Sequence, residues 1–352
     1  MTDILIVDDS ALFRKYLRQL IEKDPTMRVV GQVGSGEEAL AFLENRSVHV
    51  VTMDIQMPGL DGFETTRRIM ERWPVPVVIV SSCWEPVEVE KTFRAMDAGA
   101  VAILPKPADL AEDHDAYGLE LRGALAAASQ ARVIRKRSRR SQTKTAPLKG
   151  TFPPSVVAVG ASTGGPQALV ELLGALPVSF PLPLLVVQHI ARGFLRGFRE
   201  WLEKVTPLEV VIARDGDRPR PGRVYLAPEG CHLVLGADRA LTLSDAPPEH
   251  GVRPSASVLF RSLARVWKGD GAAVLLSGMG TDGAEELRQL HALGAATFAQ
   301  DRESSVVWGM PGEAVRLGGA RYVLPPVQIA ETLEKMTASL FPRPEGRSGR
   351  QP

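Results

Sequence analysis

Short β-branched runs and helical stretches take turns along the first 107 residues. The runs are ILIVD (4–8), VVGQV (29–33), VVTMD (50–54), PVVIVSS (76–82) and AVAILPKP (100–107). Between them the apolar spacing predicts helices near 11–22, 36–45, 62–72 and 86–97. Strand and helix in strict alternation predict a parallel sheet with helices on both faces, the doubly wound α/β plan. A last helix is expected from about 115 to the early 130s, on the pattern Leu119, Leu121, Leu125, Val133.

Alternation resumes near Pro153 with VVAVG. Further strands are expected at PLLVVQ, EVVIA, RVYLA, AAVLLSG and ATFA, and HLVLGADRALTL predicts a β-hairpin turning at Gly236–Ala237–Asp238. Helices are expected at 166–176, 255–267, 283–293, 311–317 and 326–339. Between the two regions no Asp or Glu occurs from Glu120 to Glu171, and Arg132 to Lys149 is crowded with Arg, Lys, Ser and Thr. Such a run cannot bury an apolar face and reads as an extended linker. The expected divisions are therefore a first domain over 1–107 with its last helix to about 131, a basic linker over 132–152, and a second domain over 153–340. Residues 341–352 hold almost nothing to pack and read as a loose tail.

Composition narrows the class. Of 352 residues, 44% are hydrophobic and 24% charged, which is the ordinary globular range. A net charge of +1 gives no whole-chain attraction to nucleic acid or membrane. The two cysteines, Cys83 and Cys231, are too few for a disulfide framework or a metal cluster. The N-terminus MTDILIVDDS has no basic n-region, and no apolar run approaches the roughly 18 residues of a membrane span. A soluble, cytoplasmic protein is expected.

In doubly wound sheets function gathers at the carboxyl ends of the strands. Asp8 and Asp9 close the first run, Asp54 the third, Ser81 and Ser82 the fourth, and Lys106 the fifth. Three carboxylates brought together repel unless a cation joins them, and such oxygen ligands suit Mg²⁺. Acids, a hydroxyl and an ammonium at successive strand ends can hold a phosphoryl group, with Asp54 as nucleophile. These features, DD, MDIQMPGLDG, VIVSS and LPKP in order, resemble the receiver domain of response regulators, a flavodoxin-like fold. The resemblance implies that Asp54 accepts phosphate from a histidine kinase, and that Asp9, Asp54 and the Gln56 carbonyl bind Mg²⁺ with Asp8 assisting. It makes Ser81 the hydroxyl switch and Lys106 the phosphoryl contact. Ile103 stands where receivers usually carry an aromatic switch residue.

GASTGGPQALVELLGAL follows VVAVG directly. Its glycines permit a tight strand-to-helix turn, Pro166 can open the helix, and Ser162 sits on the turn beside free backbone N–H groups. A serine there needs a base to take its proton. The candidate base is His189, ending the next strand in VVQHI, and the candidate orienting acid is Asp282 in LLSGMGTDGAEEL, another strand–glycine–helix junction. Gly160–Gly164 also fits G-x-S-x-G, but α/β-hydrolases order their triad Ser, Asp, His, whereas here the order is Ser, His, Asp.

VGASTGG, VQHI, YLAPEGCHL, RPSASVLF, LSGMGTDGA and AQDRESSVVWGMPGEA together resemble the catalytic domain of chemotaxis protein-glutamate methylesterases. With the receiver, the likeness spans about 300 residues. It implies a Rossmann-like α/β esterase domain that hydrolyses γ-glutamyl methyl esters on methylated chemoreceptors to glutamate and methanol, with deamidation of selected glutamines. Carried over by motif, Ser162 is the nucleophile, His189 the base, Asp282 the orienting acid, and Thr163 with the Met279 N–H the oxyanion stabilisers, with no cofactor for hydrolysis. The family commonly has Met–Pro and then Phe–Thr after the histidine, where this chain reads Ile190 to Leu195, and often has Asp where Ser257 stands. Both positions are expected at the cleft mouth, where they bear on substrate choice.

Two other classes compete. A DNA-binding output domain would be short and helical with a basic recognition helix, unlike the α/β pattern of 155–325. A nucleotide-binding module at Gly164–Gly165 would need a P-loop lysine or G-x-G-x-x-G spacing, and neither is present.

Overall fold

The computed structural model describes residues 1–81, 96, 98–107, 114–131, 154–267 and 270–338. The expected helix near 86–97, the linker and the tail lie wholly or almost wholly outside the described residues.

The first unit is a five-stranded parallel sheet in the order β2-β1-β3-β4-β5. Its strands are β1 (Thr2–Val7), β2 (Met27–Val33), β3 (Val50–Met53), β4 (Val77–Ser81) and β5 (Ala102–Pro105). β3 and β4 are buried throughout because helices cover both faces, so their residues run apolar rather than alternating. The helices are α1 (Ala11–Ile21), α2 (Gly36–Asn45), α3 (Gly62–Arg72) and α4 (His114–Ser129). Ser10, Ser35 and Asp61 cap the first three by accepting backbone N–H groups. In α4 Leu121 and Leu125 are buried, but Leu119 is 69% exposed, so it belongs to the solvent face and not to the expected apolar stripe.

The second unit carries seven parallel strands in the order β14-β13-β12-β6-β7-β9-β8. They are β6 (Val156–Ala161), β7 (Leu184–Gln188), β8 (Glu209–Ile212), β9 (Arg223–Leu226), β12 (Gly271–Leu275), β13 (Ala296–Gln300) and β14 (Tyr322–Leu324). The hairpin expected at 232–243 is present as antiparallel β10 (His232–Leu235) and β11 (Leu241–Ser244). The helices are α5 (Gly165–Gly174), α6 (Leu195–Val205), α7 (Ala256–Trp267), α8 (Ala284–Ala292), α9 (Met310–Arg316) and α10 (Pro326–Ala338). The sequence reading missed α6 and β14. The central strands β12, β6 and β7 place Ser162, His189 and the 276–283 loop at one sheet end, where the strand order reverses.

The two units touch through the segment leading into β5. The Gly164 N–H donates to the Val101 carbonyl at 3.2 Å, and the Gln167 amide donates to the Ala100 carbonyl at 2.6 Å. Val306, from the loop after β13, packs against the apolar cluster of the first unit.

Candidate active site and acidic pocket

The acidic pocket forms because parallel neighbours β1 and β3 end side by side, with Val7 opposite Met53. Carboxylate oxygens of Asp8, Asp9 and Asp54 come within 4.8 Å of one another, and Asp9 is the exposed member. Lys106, just past β5, reaches both Asp54 Oδ2 at 2.6 Å and Asp8 Oδ2 at 2.7 Å. Its ammonium also lies over the Phe13 ring, 4.7 Å from the centroid. Burial works against the Lys106 charge, but Asp54 and Asp8 outweigh it and hold the lysine above its usual range. Burial pushes the Asp54 carboxyl up, an effect that Lys106 and the Gln56 N–H only partly offset. One ammonium, paired with Asp8 and Asp54, against three carboxylates leaves a donor set that fits a hard divalent cation. Ser81 is buried at the end of β4, and its carbonyl accepts the Lys106 N–H at 2.8 Å. Gly62 is required beside this pocket, because a Cβ there would meet the Asp54 carbonyl oxygen at 2.1 Å. Ile103 is partly buried in the core and supplies no ring.

In the second unit β6 and β7 are paired so that Ala161 lies opposite Gln188, which puts Ser162 and His189 side by side one residue later. Gln188 locks that juxtaposition: its amide nitrogen donates to the carbonyls of both Ser162 (2.9 Å) and His189 (2.8 Å). The turn after Ser162 needs glycine at 164, where φ is +74° and a Cβ would lie 2.4 Å from Val306 Cβ. Ser277 clasps the same turn from β12's side, its carbonyl accepting the Ser162 N–H and its hydroxyl donating to the Thr163 carbonyl at 2.8 Å.

His189 Nε2 meets Asp282 Oδ2 at 3.0 Å. An ionised carboxylate only accepts, so Nε2 carries the proton and Nδ1 is the ring nitrogen left to face a hydroxyl. Asp282 is 3% exposed and accepts three further hydrogen bonds, from Ser255 Oγ (2.6 Å), the Ala256 N–H (2.6 Å) and the Ser257 N–H (3.0 Å). The last two come from the first turn of α7, whose positive end favours the charge. Burial alone would raise the Asp282 carboxyl. Hydrogen bonding by His189, with Ser255 and the Ser257 N–H, outweighs it and holds the group well below the usual carboxylate range.

Hydroxyl, imidazole and carboxylate thus meet at three neighbouring strand ends. Among the described residues no hydrogen bond joins Ser162 Oγ to His189, a contact that serine sites can complete when substrate closes the geometry. Gly278, immediately before Met279, abuts Ser162: a Cβ on it would meet Ser162 Cβ at 2.7 Å. Met279 itself is 39% exposed. Ser257 is not at the cleft mouth as expected. It is fully buried behind Asp282, its hydroxyl accepting the Gly283 N–H at 2.8 Å. The segment 190–195 divides: Arg192 and Gly193 are exposed, whereas Phe194 and Leu195 turn inward to start α6. Sequence reasoning missed Gln188, Ser255 and Ser277. A glutamine ending the apolar run LLVVQ was a usable signal for the first.

Comparison with known proteins follows the same division. A family model described as CheB methylesterase matches residues 157–333, and one described as response regulator receiver domain matches residues 4–117. The protein-glutamate methylesterase/protein-glutamine glutaminase 1 of Syntrophus aciditrophicus is 45% identical over 350 residues, covering 97% of this chain and 100% of the relative. The protein of that function from Nitrosospira multiformis is 46% identical over 346 residues, covering 96% and 98%. The crystal structure of the Thermotoga maritima CheB methylesterase catalytic domain aligns with a TM-score of 0.51 at 36% identity, covering 52% of this chain and 98% of that one. With a match of this extent across both α/β units, the chain belongs to the protein-glutamate methylesterase/protein-glutamine glutaminase family.

Proposed function

We propose that the chain is a phosphorylation-regulated serine hydrolase that demethylates glutamyl methyl esters on chemoreceptors, and deamidates selected glutamines, in chemotaxis adaptation. The observation that carries the reading is the Asp282–His189 pair beside Ser162 on adjoining strands. In this reading Ser162 Oγ attacks the ester carbonyl carbon while His189 Nδ1 takes its proton. Negative charge gathers on the carbonyl oxygen, where Thr163 and the Met279 N–H stabilise it. The C–O bond to methoxide breaks as His189 returns the proton, releasing methanol and leaving a glutamyl ester on Ser162. Water, deprotonated by His189, then attacks that ester and frees glutamate and Ser162. For glutamine the leaving group is ammonia.

Residues 1–107, with α4, act as the receiver, 132–152 as a tether and 153–340 as the esterase. Asp54 accepts a phosphoryl group from a chemotaxis-type histidine kinase, Lys106 contacts it, and Ser81 is the hydroxyl that responds. Asp8, Asp9, Asp54 and the Gln56 carbonyl would hold Mg²⁺, which would supply charge neutralisation for that transfer. The hydrolytic site is assigned no cofactor. No helix among the described residues is long and apolar enough to cross a membrane. In this reading the chain acts from the cytoplasm on receptors held in a membrane. DNA is no partner in this reading, since the output unit is a seven-stranded α/β domain.

The test is incubation with receptor membranes carrying labelled methyl groups, following released methanol with and without an acyl phosphate. The wild type releases methanol faster with the donor. Ser162→Ala loses several orders of magnitude in rate while keeping its thermal midpoint. Retention of more than about a tenth of the wild-type rate by Ser162→Ala would falsify the nucleophile assignment.

A further inference from the structure

Behind the proposed triad lies a second histidine that the reaction does not use. His232, the first residue of β10, is fully buried. Its Nδ1 accepts the Ser255 N–H at 3.2 Å and its Nε2 lies 3.1 Å from the Pro247 carbonyl oxygen. A backbone N–H only donates and a carbonyl only accepts, so one form alone satisfies both contacts: the neutral ring protonated at Nε2. The residue that His232 holds is the one whose hydroxyl donates to Asp282 Oδ1 at 2.6 Å. Oδ1 is thereby occupied twice, by Ser255 Oγ and the Ser257 N–H, which fixes the rotation of the carboxylate and leaves Oδ2 aimed at His189.

We infer that His232 and Ser255 are positioning residues for the esterase, resting on the serine-triad reading above. His232 sets the backbone of Ser255 at the start of α7, and the Ser255 hydroxyl sets the plane of the Asp282 carboxylate. The chain runs from the Pro247 carbonyl through His232, Ser255 and Asp282 to His189, with every link at 3.2 Å or less. Such outer partners orient an inner ligand or base, and a site loses rate when its base can turn. All four links join residues at least 15 positions apart, and the two that lead into the triad bridge separate elements. A structural pin for the β10–β11 hairpin would need only the first two.

The experiment measures kcat, KM and the pH profile of kcat/KM for ester hydrolysis by the full chain treated with an acyl phosphate. The variants are Ser255→Ala, His232→Leu and His232→Asn, whose side-chain oxygen can replace Nδ1 as acceptor. Ser255→Ala is expected to lower kcat about 10–100-fold with KM within about twofold. Its acid limb moves to higher pH, because an Asp282 oxygen relieved of a donor holds the His189 imidazolium more strongly. His232→Leu shows the same kcat loss, and His232→Asn recovers most of it. Wild-type kcat in both Ser255→Ala and His232→Leu overturns the role. So does a loss of kcat that tracks the thermal midpoint while the acid limb stays in place. Fluorophosphonate labelling of Ser162 separates the two readings. If the wild type is not labelled, the triad reading fails and takes this one with it. If the wild type and Ser255→Ala are labelled at equal rates, only the positioning role fails.

Discussion

Asp282 accepts four hydrogen bonds while almost wholly buried, and that saturation tells how the carboxylate survives out of water. Its pKa in the folded chain is depressed, so the unfolded chain binds the proton more readily. The stabilisation is therefore complete above the unfolded value of about 3.9 and is lost as pH falls below it toward the folded pKa. Denaturation of wild type and Asp282→Asn across pH should show a constant wild-type advantage above about pH 4 that narrows in stronger acid. An advantage that widens on acidification would contradict the charged assignment. In turnover, Asp282→Asn should cost roughly 10⁴-fold with substrate affinity little changed, since the charge that steadies the imidazolium is gone. At this scale the site divides by what the sequence can carry. Ser162, His189 and Asp282 each end a strand or sit in a glycine junction, a position readable from local pattern. Ser255 acts on an acid 27 positions away, and His232 acts on Ser255 from 23 positions away, so no local pattern marks either one. Ser257 was legible as a departure but misplaced, because only the packing of α7 against Asp282 decides which way it points.

α6 was invisible for a related reason. LRGFREWLEKV carries a fair apolar stripe at Leu195, Phe198, Trp201 and Leu202, all buried, but it opens on Phe194, which offers no side-chain cap. The cap comes from Glu229, after β9, whose Oε1 accepts the N–H groups of Gly193 and Leu195 at 3.0 Å each. A carboxylate there also complements the positive end of the helix. The start signal of α6 therefore lies 34 residues downstream of Leu195, beyond the reach of a local rule. By contrast α1, α2 and α3 carry their own Ser or Asp caps, and their bounds fall within a residue of those expected. Glu229→Ala should lower stability by about 1–2 kcal/mol, as cap removal does, measured by urea unfolding. Because the loop it holds, 190–194, begins directly after His189, the variant should also raise KM more than it lowers kcat. Unchanged stability would mean that water replaces the carboxylate at no cost.

For the whole molecule the question is what the receiver does to the esterase. Hydrogen bonds between the units fall two and five residues from Ser162: Gly164 donates to Val101, and Gln167 donates to Ala100 and Met96. Val306, beside the Ser162 turn, packs on the receiver's apolar cluster. A receptor helix approaching Ser162 would meet this boundary, so the unphosphorylated receiver is expected to inhibit. Among the described residues, these hydrogen bonds are not made at the acidic pocket itself. Val101 precedes β5 and Lys106 follows it, so about 16 Å of strand separates the pocket from the interface. In the proposed reading, phosphorylation of Asp54 would reach these hydrogen bonds by shifting β5 or its neighbours. A differential of about 1–3 kcal/mol between the two receiver states changes activity some 5–150-fold, so loosening the Gly164 and Gln167 hydrogen bonds and the Val306 contact is enough. The decisive comparison uses four samples: the untreated full chain, the chain with an acyl phosphate and Mg²⁺, Asp54→Ala with the same donor, and a fragment beginning near Pro153. The fragment and the phosphorylated chain should both exceed the untreated chain in methanol release, and Asp54→Ala should ignore the donor. Gln167→Ala should raise the untreated rate toward that of the fragment, because it removes the amide that donates to the Ala100 and Met96 carbonyls across the boundary. If the fragment is no faster than the untreated chain, steric inhibition is wrong, and the receiver acts by activation or by docking the esterase to its receptors.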